Sequence, residues 1–154
     1  MLAIHLTTLI NAPVEICFDL SRSIDLHLEL TKHTGEQAVA GTTSGLIGLG
    51  EWVTWRAKHF GIAQELTSKV TEFDRPNYFV DEQVSGAFEH FRHEHRFTPT
   101  GKSTIMEDKF TFESPFGLAG KLFNKLVLTR YMTNLLITRN KVIKKAAEAT
   151  TTSV

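Results

Sequence analysis

Hydrophobic and polar residues alternate over the first strand-length segment of the chain, LAIHLTTLI, from Leu2 to Ile10. A period of two residues is typical of a half-buried β-strand. Pro13 follows at a position suited to the first turn of a helix, and this short helix is predicted to end near Leu20. Ser23 has the side chain of a good N-cap, which predicts a second short helix directly after the first.

The segment from residue 36 to 113 has the composition of strands interrupted by turns. Glycine, proline, asparagine and aspartate leave six strand-like segments, near 36–45, 51–60, 62–73, 78–84, 88–98 and 103–113. Strands joined by such short connections pair with their neighbours in an antiparallel meander. With the first strand, they predict a curved antiparallel sheet of seven strands.

After Pro115 the apolar positions recur at steps of three and four residues. One long helix is predicted from about Lys121 to Ala149, roughly 40 Å at about 1.5 Å per residue. Its apolar stripe is expected to pack lengthwise on the concave face of the sheet. The stripe includes Leu122, Leu126, Leu135 and Val142. Because a curved sheet cannot contact a straight helix everywhere, a cavity is expected between them.

The chain length fits a single domain, predicted over residues 1–148 with a flexible polar tail at 149–154. The formal net charge is +0 and no basic run is present, which argues against nucleic acid as a partner. A single cysteine, Cys17, excludes an internal disulfide and fits a reducing compartment. The N-terminus is unlike a signal peptide, and no apolar run approaches the roughly 20 residues of a membrane helix. A cytoplasmic protein without an integral membrane segment is therefore predicted.

The strand near 88–98 contains three of the seven histidines of the chain. Successive side chains of a strand point to opposite faces, so this strand has two distinct sides. One side carries His90, Arg92, Glu94 and Arg96, and the other carries Phe91, His93, His95 and Phe97. The charged side is expected to be solvated. His93 and His95 are therefore predicted to face inward.

Asp108 is the one charged residue on the apolar side of the next strand, which otherwise carries Met106, Phe110 and Phe112. A turn at Thr100-Gly101 would pair Asp108 with His93, and a looser turn would pair it with His95. Either register places a carboxylate next to an imidazole inside the sheet. A buried carboxylate is costly without such a partner.

Three interpretations of this cluster are open. It is a satisfied polar patch in an apolar wall, an acid–base pair acting on a ligand, or a metal site in which Asp108 joins His93 and His95. Imidazoles at positions i and i+2 can converge on an ion, but no further Cys or His pattern accompanies them. We therefore predict that no metal is needed for folding and none is retained on purification.

Other candidate cavity residues lie on the strand near 51–60, where Trp55 and His59 share the side opposite two basic residues. His27, on the second short helix, is a candidate for the cavity mouth. The strand near 78–84 is ambiguous, since either the face with Tyr78 and Val80 or the face with Phe79 and Asp81 could point inward. The predicted ligand-binding residues are Trp55, His59, Phe91, His93, His95, Phe97, Asp108 and Phe110.

Several segments resemble one superfamily. These are INAPVEICFDL at 10–20, GEWVTWRAKHFG at 50–61, FVDEQVSGAFEHFRHEHRF at 79–97 and IMEDKFTFESPFGLAGKL at 105–122. Over about residues 2–146 the chain is similar to the START-like, or helix-grip, proteins of the SRPBCC group. Within that group it resembles the ligand-binding proteins described as polyketide cyclase/dehydrase-like or cell-division-inhibitor-like.

The resemblance implies an α+β helix-grip fold, in which a seven-stranded curved antiparallel sheet surrounds a long C-terminal helix next to an apolar cavity. It implies binding of a small hydrophobic ligand that is lipid-, polyketide- or quinone-like. We predict no cofactor. The alternative is a cyclase or dehydratase that uses a cavity His/Asp pair as acid and base. Some relatives are fused to an epimerase/dehydratase-type protein, which suggests such a protein as a partner. The iron-binding motif of the oxygenase members does not map onto His93, His95 and Asp108.

Overall fold

The computed structural model describes residues 2–59, 61–86, 88–113 and 127–152, without the side chains of residues 59 and 152. Strand β1 (Leu2–Ile10) is followed by helices α1 (Val14–Ser21) and α2 (Ile24–Leu30) and by a 3-10 turn at Lys32–Thr34. The remaining strands are β2 (Gln37–Gly41), β3 (Trp52–His59), β4 (Ile62–Asp74), β5 (Tyr78–Ser85), β6 (His90–Thr100) and β7 (Ser103–Glu113). Helix α3 spans Thr129–Thr152.

The seven strands form one antiparallel sheet in the order β1-β7-β6-β5-β4-β3-β2. Strands β2 to β7 make the predicted meander, and β1 closes it by pairing with β7 from Leu2↔Phe112 to Ile10↔Thr104. Two short helices follow β1 and a long helix ends the described chain. The predicted α+β helix-grip fold is confirmed.

Strand β2 is shorter than the segment predicted near 36–45 because glycine ends it. Gly41 has φ 77, a backbone conformation that residues other than glycine rarely adopt. A Cβ atom at this position would clash with the carbonyl oxygen of Trp52. The chain therefore leaves the sheet edge at Gly41.

The two short helices begin near the predicted positions. The Ser23 side chain accepts a hydrogen bond from the backbone N–H of Leu26 at 3.1 Å, as expected for an N-cap of α2. Pro13 is the N-cap of α1 rather than its first helical residue. Its carbonyl accepts the first helical hydrogen bonds, from Ile16 at 3.1 Å and Cys17 at 3.2 Å.

Phe18 of α1 fills one end of the space between the sheet and α3. Its ring meets Phe73, Phe79 and Phe97 edge-on, at centroid distances of 5.4, 5.3 and 5.3 Å. Edge-to-face pairs of this kind stabilise a core beyond their area burial. This end of the space between the sheet and α3 is therefore filled by side chains of the hydrophobic core.

Helix α3 lies along β1 and α1, and its most buried residues differ by one position from the predicted stripe. Met132, Leu136, Ile143 and Ala147 are buried, whereas Leu135 and Val142 are half-buried. Leu122 and Leu126 lie outside the described residues. Arg139 and Asn140 are also buried on this side, with 8% and 3% exposure.

No helix in the described part of the chain is long and apolar enough to cross a membrane. Helix α3 continues to Thr152, which includes part of the segment predicted as a tail. The flexibility of residues 149–154 and the domain limits stay predictions.

Candidate functional site

A cavity of about 290 Å³ lies between the sheet, α2 and α3. Its walls are mainly apolar and aromatic. They include Val53, Trp55, Leu66, Phe91, Phe110 and Leu136. Polar side chains gather in two places, one at β5 and β6 and one at α2. The cavity therefore combines apolar area with a few convergent polar groups, as small-molecule sites do.

The predicted site residues fall into three groups. Trp55, Phe91, His93, His95 and Phe110 line the cavity. Phe97 faces inward but packs against Phe18 in the solid end of the core, and it is not among the residues that line the cavity. Asp108 is 3% exposed and does not line the cavity. It lies behind the two histidines and can affect a ligand only through them. The side chain of His59 lies outside the described residues.

The outer side of β6 carries the charged residues, as the alternation predicted. Buried and less buried positions alternate along the strand from His90 to Phe97. Glu94 is less solvated than expected, with a side chain only 17% exposed. It accepts a hydrogen bond from Tyr78 at 3.5 Å and lies 3.9 Å from Lys109.

The turn between β6 and β7 selects the second of the two registers. Thr100 pairs with Ser103 around a two-residue turn, so His95 lies directly opposite Asp108. Gly101 has φ 62, which such a turn needs. The shortest contact is nevertheless diagonal, because His93 Nε2 lies 2.8 Å from Asp108 Oδ1.

Asp108 is held from two sides. Asn140 donates to Oδ2 at 2.7 Å, and Arg139 Nη1 lies 3.4 Å from Oδ1. Burial alone raises the pKa of Asp108, but hydrogen bonds from His93 and His95 and the charge of Arg139 hold this pKa well below its usual value. The side chain is therefore a buried carboxylate.

Arg139 and Asn140 were missed by sequence reasoning, although a signal exists. They occupy the helical stripe of Leu136 and Ile143, at three- and four-residue steps. A polar pair on an apolar helix face must find a buried partner. Asp108 is that partner.

Asp81 of β5 is the second carboxylate of the site. The structure turns Phe79 and Asp81 toward the cavity, which resolves the ambiguity of this strand. Asp81 Oδ1 lies 2.7 Å from His95 Nε2, and the His95 ring stacks on Phe79 at 4.1 Å. Burial raises the pKa of Asp81, but the hydrogen bond from His95 and the charge of Arg139 help to lower this pKa below its usual value.

His93 is the group whose titration is most changed. Burial and the neighbouring His95 ring, 3.7 Å away between centroids, lower the pKa of His93 to about 4 despite its contact with Asp108. His93 is therefore neutral at physiological pH, and Nε2 donates its proton to Asp108. We call Asp81, His93, His95, Asp108, Arg139 and Asn140 the polar cluster.

The second polar group lies near α2. His27 Nε2 is 2.8 Å from Glu36 Oε1, and the His27 ring is 4.3 Å from the Trp55 ring. Both His27 and Glu36 line the cavity, and the His27 side chain is 33% exposed. The place predicted for His27 at the cavity mouth fits this partial exposure.

A metal ion would find its nearest set of ligands in the polar cluster. Within the described ranges, one ligand atom each of Asp81, His93 and His95 lie within 4.8 Å of one another. The grouped carboxylate is Asp81 rather than Asp108. Both Nε2 atoms already face carboxylates, and Arg139 Nη2 lies 3.4 Å from His95 Nδ1, which disfavours a second cation. That folding needs no metal stays a prediction.

A long helix gripped by an antiparallel sheet, with an apolar cavity between them, defines a START-like ligand-binding domain. The model of the family "Polyketide cyclase / dehydrase and lipid transport" matches residues 1–148, and the chain belongs to this family. No curated protein matched the sequence.

Solved structures share the fold at low sequence identity. TTHA0849 from Thermus thermophilus is 20% identical with a TM-score of 0.72, over 95% of this chain and 99% of that one. Protein Ms6760 from Mycobacterium smegmatis is 17% identical with a TM-score of 0.68, over 97% and 92% of the two chains. Major latex-like protein 151 from Panax ginseng is 13% identical with a TM-score of 0.64, over 94% and 96%.

The family and the fold indicate a ligand-binding domain. A cytoplasmic location and an epimerase/dehydratase-type partner stay predictions from the sequence and the resemblance. An exposed apolar surface would favour such a partner.

Proposed function

We propose that the protein binds a small, largely apolar molecule with one polar end in the cavity between the sheet and α3. The observation that carries this proposal is the meeting of an aromatic wall, including Phe91 and Phe110, with Asp81, His93 and His95 at one place in the cavity. The wall supplies affinity, at about 25 cal/mol for each Å² of apolar surface buried. The polar side chains orient the ligand.

The size of the cavity supports a ligand of one or two fused rings or a short chain. Its volume of about 290 Å³ is close to the lower limit for small-molecule pockets, which is roughly 300 Å³. The buried members of the polar cluster are held by each other, so the site is formed before a ligand enters. Preformed sites avoid the cost of ordering side chains on binding.

The test is a fluorescence titration with N-phenylnaphthylamine, a neutral apolar probe. Wild-type protein is expected to bind it saturably with one-to-one stoichiometry. Ala57→Trp is expected to weaken binding by about tenfold or more, since Ala57 lines the cavity and is 7% exposed. Val84→Trp is the control, because Val84 is 62% exposed and outside the cavity lining.

Thermal melts establish first that both tryptophan variants are folded. Absence of saturable binding to the wild-type protein would contradict the proposal. Equal binding by the two folded variants would show that the probe occupies some other surface.

The second candidate function is an acid–base enzyme of cyclase or dehydratase type. The contact between Asp81 and His95 at 2.7 Å, in residues that line the cavity, favours it. A carboxylate–imidazole pair beside a bound ligand can transfer protons. Mass spectrometry of a ligand recovered after incubation distinguishes the two functions, because a binding protein returns it unchanged and a dehydratase removes one water.

A further inference from the structure

The polar cluster determines which polar end a ligand can have, an inference that rests on the proposed function. Most of its hydrogen-bonding groups are already used within the protein. Asp108 accepts a hydrogen bond from Asn140 on Oδ2 at 2.7 Å and one from His93 on Oδ1 at 2.8 Å. His95 donates to Asp81 through Nε2, and its Nδ1 lies 3.4 Å from both Arg139 Nη2 and Asp108 Oδ1.

Arg139 is the cationic member of the polar cluster, and its terminal nitrogens point at protein acceptors. Nη1 donates to Asn140 Oδ1 at 2.8 Å and lies 3.4 Å from Asp108 Oδ1. Nη2 donates to the carbonyl oxygen of Ser21 at 3.3 Å. Only 9% of the Arg139 side chain is exposed. An anionic ligand would therefore have to displace these bonds to reach the terminal nitrogens.

The other cationic side chain of the lining is paired as well. Arg22 lies 2.9 Å from Asp19, and its Nη1 donates to the carbonyl oxygen of Ile47 at 3.2 Å. Near the mouth, His27 faces Glu36. Each positive or potentially positive group in the described lining is thus engaged by a protein acceptor.

Among the carboxylate and imidazole atoms of the polar cluster, those left without a partner in the described part of the chain are acceptors. In the described part of the chain Asp81 Oδ2 has no hydrogen-bond partner, since the contact with His95 uses Oδ1. The Asp81 side chain lines the cavity and is 24% exposed. His93 Nδ1 likewise has no partner among the described residues, although its side chain is only 7% exposed. Because neutral His93 carries its proton on Nε2, Nδ1 is an acceptor.

We infer that the ligand presents a hydrogen-bond donor, an alcohol or a protonated amine, to Asp81 Oδ2 and His93 Nδ1, and that carboxylic acids of the same shape are rejected. A protonated amine can donate to both acceptors and an alcohol to one of them, and both acceptors otherwise lack partners among the described residues. A carboxylate would instead meet the like charge of Asp81 in a poorly solvated cavity. The geometry thus favours ligands whose polar group is a hydrogen-bond donor over ligands whose polar group is an anionic acceptor.

The experiment compares naphthalene derivatives substituted at the same ring position: methyl, hydroxymethyl, aminomethyl and carboxylate. Calorimetric titrations of the wild-type protein at neutral pH are expected to show the alcohol or the amine binding at least about tenfold tighter than the carboxylate. The more tightly bound of the two donors reveals whether the donor is neutral or charged. Both results support the inference.

Two negative results have different meanings. If the carboxylate binds as tightly as the alcohol and the amine, the inference is overturned while the proposed function stands. If none of the four compounds binds, including methylnaphthalene, the proposed function itself is overturned. The wild-type comparison needs no variant, so it stays decisive if a substitution prevents folding.

Asp81→Asn tests the assigned residue, because an amide offers both a donor and an acceptor. The preference for alcohol over carboxylate is expected to shrink toward equal binding. Glu82→Gln is the matched control, since Glu82 neighbours Asp81 on the same strand and contacts Arg92 at 3.5 Å. It should keep the wild-type preference. An unchanged preference in folded Asp81→Asn would remove Asp81 from the site.

Discussion

Replacing Asp108 with alanine is expected to lower the free energy of unfolding by about 3–5 kcal/mol. The substitution leaves the buried Arg139 guanidinium without its carboxylate and the Asn140 amide without its acceptor at 2.7 Å. A buried cation that loses its partner retains the full cost of desolvation. Chemical denaturation of the wild-type and variant proteins measures the difference.

Glu107→Ala is the matched control for this prediction. Glu107 precedes Asp108 on β7 but is exposed on the other side of the sheet, so its loss should cost less than about 1 kcal/mol. The double variant Asp108→Ala/Arg139→Met should recover part of the stability, since it also removes the unpaired charge. Similar small effects of Asp108→Ala and Glu107→Ala would mean that the polar cluster does not stabilise the fold.

Acidification from pH 6.5 to about 4 is expected to lower the free energy of unfolding by up to about 3 kcal/mol through His93 alone, since each pKa unit corresponds to about 1.4 kcal/mol. His93 has its ordinary pKa of 6.5 in the unfolded chain and a pKa of about 4 in the folded protein. The unfolded state therefore binds the proton first. The stability is fully present above pH 6.5 and is lost as the pH falls through about 4.

Denaturation curves at a series of pH values test this prediction. The readout is the slope of the free energy of unfolding against pH, rather than its absolute value at one pH. His93→Gln should flatten the slope between pH 6.5 and 4, whereas His5→Gln, at an exposed position on β1, should preserve it. Asp81 and Asp108 have lowered pKa values, so their contributions are lost only below the ordinary aspartate pKa of 3.8. An unchanged slope in His93→Gln would contradict the assignment.

The inward orientation of His93 and His95 could be predicted from the sequence because a strand has a side-chain period of two. Four polar residues on one side of β6 identify the solvated face without any knowledge of the neighbouring strands. The pairing with Asp108 was limited to two registers by the same argument. The turn at Gly101 then selected between them, and the length of such a turn is a local feature that the glycine alone does not specify.

Asp81 shows where this reasoning fails. Neighbouring residues of β5 are buried on both sides of the sheet, with Phe79 at 3% and Val80 at 0% exposure. Alternation then no longer distinguishes the inner face from the outer face. Only the position of His95 on the adjacent strand, 2.7 Å from Asp81, identifies the inward side.

Phe97 illustrates the same limit along the length of a strand. Its inward direction follows from the period of β6, but its environment is decided by Phe18 of α1, which fills that end of the interior. Arg139 and Asn140 lie on the apolar stripe of α3, and their partner on β7 is more than 30 residues away in the chain. Periodicity is a property of the local backbone, so the residue pattern is sufficient for the strands, the helices and the faces of β6 and β7. Where the cavity ends and which charges meet depend on how distant elements pack, and only the folded chain specifies those distances.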